Sequence, residues 1–150
     1  MEVFRISTTD YSSKLSSSGC ANRWNKRDQF VIYTGSTRSL STLELIVHKS
    51  SIAPLDVYKV LIISIADNEH LIKQVLISTL PKKWRSMSSY PILQQIGSDW
   101  YNSKETLVLK VPSAVIPYEY NYVLNIEHPD FKEHVKLVNI ENYFWDDRLL

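Results

Sequence analysis

The sequence predicts a single α+β domain with few helices, and three observations predict it. Short runs of β-branched and aromatic residues recur along the chain, the clearest being Phe30-Val31-Ile32-Tyr33-Thr34 before Gly35. Only two segments have convincing helical spacing. A chain of 150 residues with 44% hydrophobic content has the size and the apolar material for one core of its own, so one domain is expected over 1–150.

Glu2 to Ile6 reads as a short opening strand with Val3 and Phe4 as its apolar residues. Ser16-Ser17-Ser18-Gly19 reads as a loop. Phe30 to Thr34 is a strand that ends in a turn, and the spacing predicts a helix from Ser39 to His48. Val57 to Ile65 is nearly continuous apolar sequence, which suits a strand buried on both faces. Ile72 to Ile77 fits either a short strand or a turn. Pro91 to Tyr101 reads as a helix with proline in its first turn and a partial stripe of Leu93, Gln95, Ile96 and Trp100. Thr106 to Val111 alternates and stops at Pro112. Tyr120 to Ile126 and Val135 to Ile140 complete the strands. Pro112 and Pro117 bracket a segment that cannot pair as a central strand, so an exposed connection is expected there. Strands with so few helices between them point to α+β rather than to a doubly wound sheet.

Composition removes several function classes. The net charge is +1, from 17 basic and 16 acidic residues, which gives no general attraction to nucleic acid. The clusters Arg23-Trp24-Asn25-Lys26-Arg27 and Lys82-Lys83-Trp84-Arg85 read first as solvated surface. Cys20 is the single cysteine and makes neither an internal disulfide nor a zinc site by itself. The four histidines, at 48, 70, 128 and 134, have no metal spacing, so no metal is expected. Three glycines and no GxGxxG, P-loop or GxSxG pattern disfavour the dinucleotide and phosphate folds built on those motifs. No secretory h-region follows Met1, and no apolar run nears the ~20 residues of a membrane helix, so a cytoplasmic place with no membrane partner is expected.

Glu44 is the residue out of place. With Leu40 at zero on a wheel of about 100° per residue, Leu43 and Val47 fall to one side and Glu44 about 40° to the other. A carboxylate at the edge of an inward face needs a partner or a ligand. The bland alternative is a capping box, Ser41-Thr42-Leu43-Glu44, in which Glu44 satisfies the helix start. The apolar Leu40 favours an earlier start and leaves Glu44 for other work. Arg23 offers a fork of donors for phosphate or carboxylate, with Trp24 and Asn25 beside it; the bland alternative is a surface loop with Trp24 tucked into the core. Tyr33, at the end of an apolar strand, reads first as a core tyrosine.

Taken in order, these segments resemble the RES family. Arg23-Trp24-Asn25, the strand ending in Tyr33-Thr34, the helix carrying Leu43-Glu44, Val111-Pro112-Ser113, and Asn121-Tyr122-Val123-Leu124-Asn125 followed by His128 and Phe131 match its segments, and Phe4-Arg5-Ile6 resembles its opening strand. The match runs from about residue 3 to about 131. One departure is Asn22, where the family more often has glycine. The stretch from Lys49 to Pro91 carries no motif.

The resemblance implies a fold like that of the ADP-ribosyltransferase toxins, with mixed sheets and few helices. It implies Arg23, Glu44 and Ser113 as the residues of the family name, Tyr33 beside them, and Asn25 and Asn121 as polar support. It implies a toxin of a toxin–antitoxin pair, with NAD as substrate rather than cofactor. The expected reaction is phosphorolysis or hydrolysis of the nicotinamide–ribose bond, or, as the alternative, transfer of ADP-ribose to a protein or nucleotide. A non-catalytic module acting through its antitoxin is the alternative from another class. The expected partner is a helix-turn-helix antitoxin that covers the site and supplies any contact with DNA.

Overall fold

A computed structural model describes residues 1–48 and 57–149. The apolar runs become seven strands of one sheet: β1 (Glu2–Thr8), β2 (Val31–Gly35), β3 (Tyr58–Ile65), β4 (Ile72–Gln74), β5 (Val108–Pro112), β6 (Tyr120–Asn125) and β7 (Val135–Asn142). Their order across the sheet is β4-β5-β6-β2-β1-β3-β7. β4 and β5 run parallel, and every other neighbouring pair is antiparallel. The helices are α1 (Arg38–His48), α2 (Tyr90–Ser103) and the single turn α3 (Phe131–His134). The α+β expectation holds, and the undecided segment from Ile72 is a three-residue strand followed by a 3-10 turn at Ile77–Thr79.

The sheet is well paired except at one seam. β1 pairs with β3 along its whole length, from Glu2↔Ser64 to Thr8↔Tyr58, and β2 pairs with β6 from Val31↔Asn125 to Gly35↔Asn121. Between β1 and β2 the register holds the single pair Phe4↔Gly35. Beyond it the two strands part.

Side chains alternate across a strand, and the core follows that alternation. On one face Val3, Ile32, Leu61, Ile63, Val108 and Leu124 form a cluster that crosses the seam. On the other face the apolar material is divided. Trp24, Val31, Trp84, Leu93, Trp100, Leu109 and Val123 pack together around α2, whereas Phe4, Val60 and Ile62 form a smaller cluster with Ile6 and Tyr143. The tail joins the second group, where Tyr143 and Trp145 pack on the Tyr58 ring.

α1 begins where Thr37 Oγ1 accepts the Leu40 amide at 3.0 Å, an N-cap bond. The cap therefore lies upstream of Ser41, and Glu44 stands past the first turn, outside any capping box. The buried face of α1 also differs from the expected one. Leu40 and Ser41 are buried, while Leu43 and Val47 are 36% and 61% exposed. The buried arc runs from Leu40 to Ser41, and Glu44 projects between them, at the middle of the inward face rather than its edge. The reason is that α1 leans over the seam, so polar residues face inward there. α2 has Pro91 in its first turn and ends at Lys104 in the left-handed region, φ 52°. The connection after β5 is unpaired as expected and exposed at Pro117 and Tyr118, but its start is a correction: Pro112 and Ser113 are buried, because Pro112 pairs with Tyr120 as the last residue of β5 and Ser113 N–H bonds Glu119 O at 2.9 Å.

Candidate active site

A cavity of about 420 Å3 opens where the seam parts, a volume within the ordinary range of ligand pockets. Arg5 and Ile6 line it from β1, and Tyr33 and Thr34 from β2. It thus lies between the two apolar clusters of the divided face. α1 contributes Ser41, Glu44, Leu45, Val47 and His48, the 22–24 segment contributes Asn22, Arg23 and Trp24, and the β5–β6 side contributes Pro112, Ala114, Val115 and Asn121. Ser41 ties α1 to the seam by donating from Oγ to Phe4 O at 3.0 Å. Gly35 permits this close approach, since a Cβ there would stand 2.4 Å from Ser41 Oγ.

Glu44 is the only carboxylate among the described residues lining the cavity. Its Oε1 accepts from Ser113 Oγ at 2.9 Å and from Asn121 Nδ2 at 2.7 Å. Its Oε2 faces His48 Nε2 at 3.3 Å, one turn on. Burial pushes the carboxyl up, but the hydrogen bonds from His48, Asn121 and Ser113 outweigh it and hold the group below the usual glutamate value. Glu44 is therefore ionised at neutral pH. Ser113 sits behind it, 1% exposed, and its Oγ also accepts the amides of Val115 and Ile116, each at 3.1 Å, so one hydroxyl fixes both the turn and the carboxylate.

The opposite wall is made differently. Asn22 and Asn25 close a short bridge, Trp24 is buried, and Arg23 projects into the cavity between them. Arg23 Nη1 donates to Trp84 O at 3.2 Å and Arg85 O at 3.0 Å, and its guanidinium lies over the Tyr90 ring at 4.8 Å. Tyr33 gives its ring to the wall, while its hydroxyl accepts the Trp24 amide at 3.0 Å and donates to Asn25 Oδ1 at 2.6 Å. Burial raises this phenol far above its ordinary value, so it remains a donor. Asn25 is 1% exposed and its Nδ2 reaches Cys20 O, Lys26 O and Gln29 O at 2.9, 3.0 and 3.3 Å. Asn25 organises the loop and is not part of the cavity wall. Asn22 needs no glycine conformation, and its own Oδ1 accepts the Arg23 amide at 2.8 Å. α2 presses on this loop through Gly97, where a Cβ would meet Trp24 O at 1.6 Å.

Three arginines converge on the cavity: Arg5, Arg23 and Arg85. Arg5 Nη1 donates to Ser16 O at 2.9 Å. Burial lowers its pKa, though an arginine keeps its proton regardless. The Arg85 guanidinium lies over the Trp84 ring at 4.7 Å. One ionised carboxylate and three arginines lining the same cavity suit a ligand that carries both anionic groups and a developing cation. Among the described residues no cluster of His, Cys, Asp and Glu could hold a metal ion.

A family model described as the RES domain matches residues 2–146. The chain belongs to the RES-domain family. It is 30% identical to a protein of Photorhabdus laumondii named "Toxin Res", over all of this chain and 97% of that one. It is 30% identical to the "Prs ADP-ribosylating toxin" of a Sphingobium species, over 98% of this chain and 95% of that one. Its fold is similar to that of a chain in the crystal structure of the M. tuberculosis MbcT-MbcA toxin-antitoxin complex, with a TM-score of 0.76 at 15% identity, over 95% of this chain and 83% of that chain.

In this RES-domain chain the sequence-expected residues Glu44, Ser113 and Asn121 meet directly, and Arg23 and Tyr33 stand across the cavity from them. Asn25 lies in the loop behind. Sequence reasoning missed Arg5, Arg85 and His48 as lining residues. Arg5 had a usable signal, a charged residue between Phe4 and Ile6 in an apolar strand; Arg85 had none beyond a basic cluster.

Proposed function

We propose that this RES-domain protein is the toxin of a toxin–antitoxin pair and that its cavity cleaves the nicotinamide–ribose bond of NAD. The observation that carries the proposal is Glu44, ionised and held by side chains on both oxygens in a cavity that also presents Arg5, Arg23 and Arg85. The names of the relatives support the toxin part.

Departure of nicotinamide leaves positive charge on the ribose, as in glycoside cleavage. The nicotinamide of NAD is already cationic, so it takes the bonding electron pair and leaves neutral without a general acid. Glu44 offsets the charge growing on the ribose and accepts a hydrogen bond from a ribose hydroxyl. Arg5, Arg23 and Arg85 hold the pyrophosphate, and the Tyr33 ring packs against the flat end of the substrate. Phosphate or water then forms the new bond to the anomeric carbon from the open face, and the proton released goes to solvent. Purified protein is expected to release nicotinamide from NAD, with phosphate present or absent. No release in either condition overturns the proposal.

The name of the Sphingobium relative favours a second reading, transfer of ADP-ribose to an acceptor. The same cavity serves it. Mass analysis of cell proteins and nucleotides after induction separates the two, because transfer leaves adducts and cleavage leaves only a fall in NAD. The proposed partner, a helix-turn-helix antitoxin of the cytoplasm covering the cavity mouth, is expected to abolish nicotinamide release when added in equimolar amount.

A further inference from the structure

Glu44 receives three donors on two oxygens, and they are not equivalent. Ser113 and Asn121 both bind Oε1. Oε2 has His48, whose Nε2 stands 3.3 Å away. The i,i+4 spacing puts the two side chains on one face of α1, and His48 is itself exposed at the cavity. A terminal carboxylate torsion is broad and soft. Two donors on Oε1 anchor one end of the group; a third donor at the other oxygen fixes its plane.

We propose that His48 is a positioning residue for the Glu44 carboxylate, its Nε2–H holding Oε2 so that the remaining lone pair of that oxygen is presented to the ribose. The inference rests on the NAD-cleaving reading above. It also specifies a protonation state. Neutral His48 donates one hydrogen bond and leaves the charge on Glu44 uncancelled. Protonated His48 makes a full ion pair and offsets the negative charge that the ribose needs. The other titratable groups at this cavity are Arg5 on β1, Arg23 in the loop, Arg85 after Trp84 and the protonated phenol of Tyr33 on β2, while the β5–β6 side supplies Pro112, Ala114, Val115 and Asn121.

The test uses three proteins whose folding is first confirmed by thermal melting: wild type, His48→Leu and His48→Gln. His48→Leu is expected to lower kcat for nicotinamide release about tenfold, with KM within about twofold, the size of one lost hydrogen bond to a charged group. His48→Gln places an amide N–H at comparable reach and is expected to restore kcat to within about threefold of wild type. An unchanged kcat in His48→Leu, an effect on KM alone, or no rescue by glutamine would each overturn the inference while leaving the NAD reading standing. Absence of nicotinamide release from the wild type overturns both.

Discussion

The two walls of the cavity do the same job, holding one charged side chain, by opposite means. Glu44 is held by side chains that act on its charge: Ser113, Asn121 and His48 all bond the carboxylate itself. Arg23 is held by backbone. Its guanidinium rests on the carbonyls of Trp84 and Arg85, and its loop is tied by Tyr33, Asn25 and the close approach of Gly97. Contacts of the first kind tune protonation and touch stability only modestly, through the charge they hold. Contacts of the second kind set position, and losing one moves the loop.

That difference is open to direct attack. Glu44→Gln keeps the shape of the side chain and removes its charge, so nicotinamide release is expected to fall about a thousandfold, with a melting temperature close to wild type; a large loss of stability would erase the contrast between the walls. Gly97→Ala is the mirror experiment. Its Cβ would fall 1.6 Å from Trp24 O, so the loop must shift, and denaturant unfolding is expected to show a loss of about 3 kcal/mol together with a fall in activity. Retained stability would mean that the loop is softer than its contacts imply.

Asn121→Ala gives the smallest effect and the sharpest one. Removing one donor leaves burial less opposed, so the Glu44 carboxyl moves up toward its ordinary value. Nicotinamide release at neutral pH is expected to fall roughly fivefold, and the acid limb that Glu44 sets moves to higher pH. Stability follows the same linkage. A carboxylate held below its unfolded value of 4.5 contributes in full above that pH, and the contribution is lost as pH falls through the folded value. Melting curves of wild type and Asn121→Ala should therefore differ most above pH 4.5 and converge in acid.

Strand and helix positions were legible in the sequence because apolar periodicity reports them directly. Glu44 was legible as a carboxylate on an inward-turned helix, but its partners were not. Ser113 and Asn121 lie 69 and 77 residues further on, and only the ordered likeness to RES segments pointed to them. The face of α1 was misjudged because Leu43 and Val47 are apolar yet exposed; the helix covers a polar cleft, so burial and hydropathy part company there. Arg5 escaped because a strand pattern does not reveal where two neighbours separate. The parting after Phe4↔Gly35 is a property of pairing, and pairing is written in no single segment. Asn25 looked like a ligand group because an amide beside arginine and tryptophan has the right chemistry, and only the loop's own carbonyls show where that amide is engaged.

The long reach from Glu44 to its partners also sets a clock. As the chain leaves the ribosome, the carboxylate emerges early with His48 one turn on, and its other two donors follow 69 and 77 residues later. Most of the polypeptide must be made before this arrangement of side chains can form.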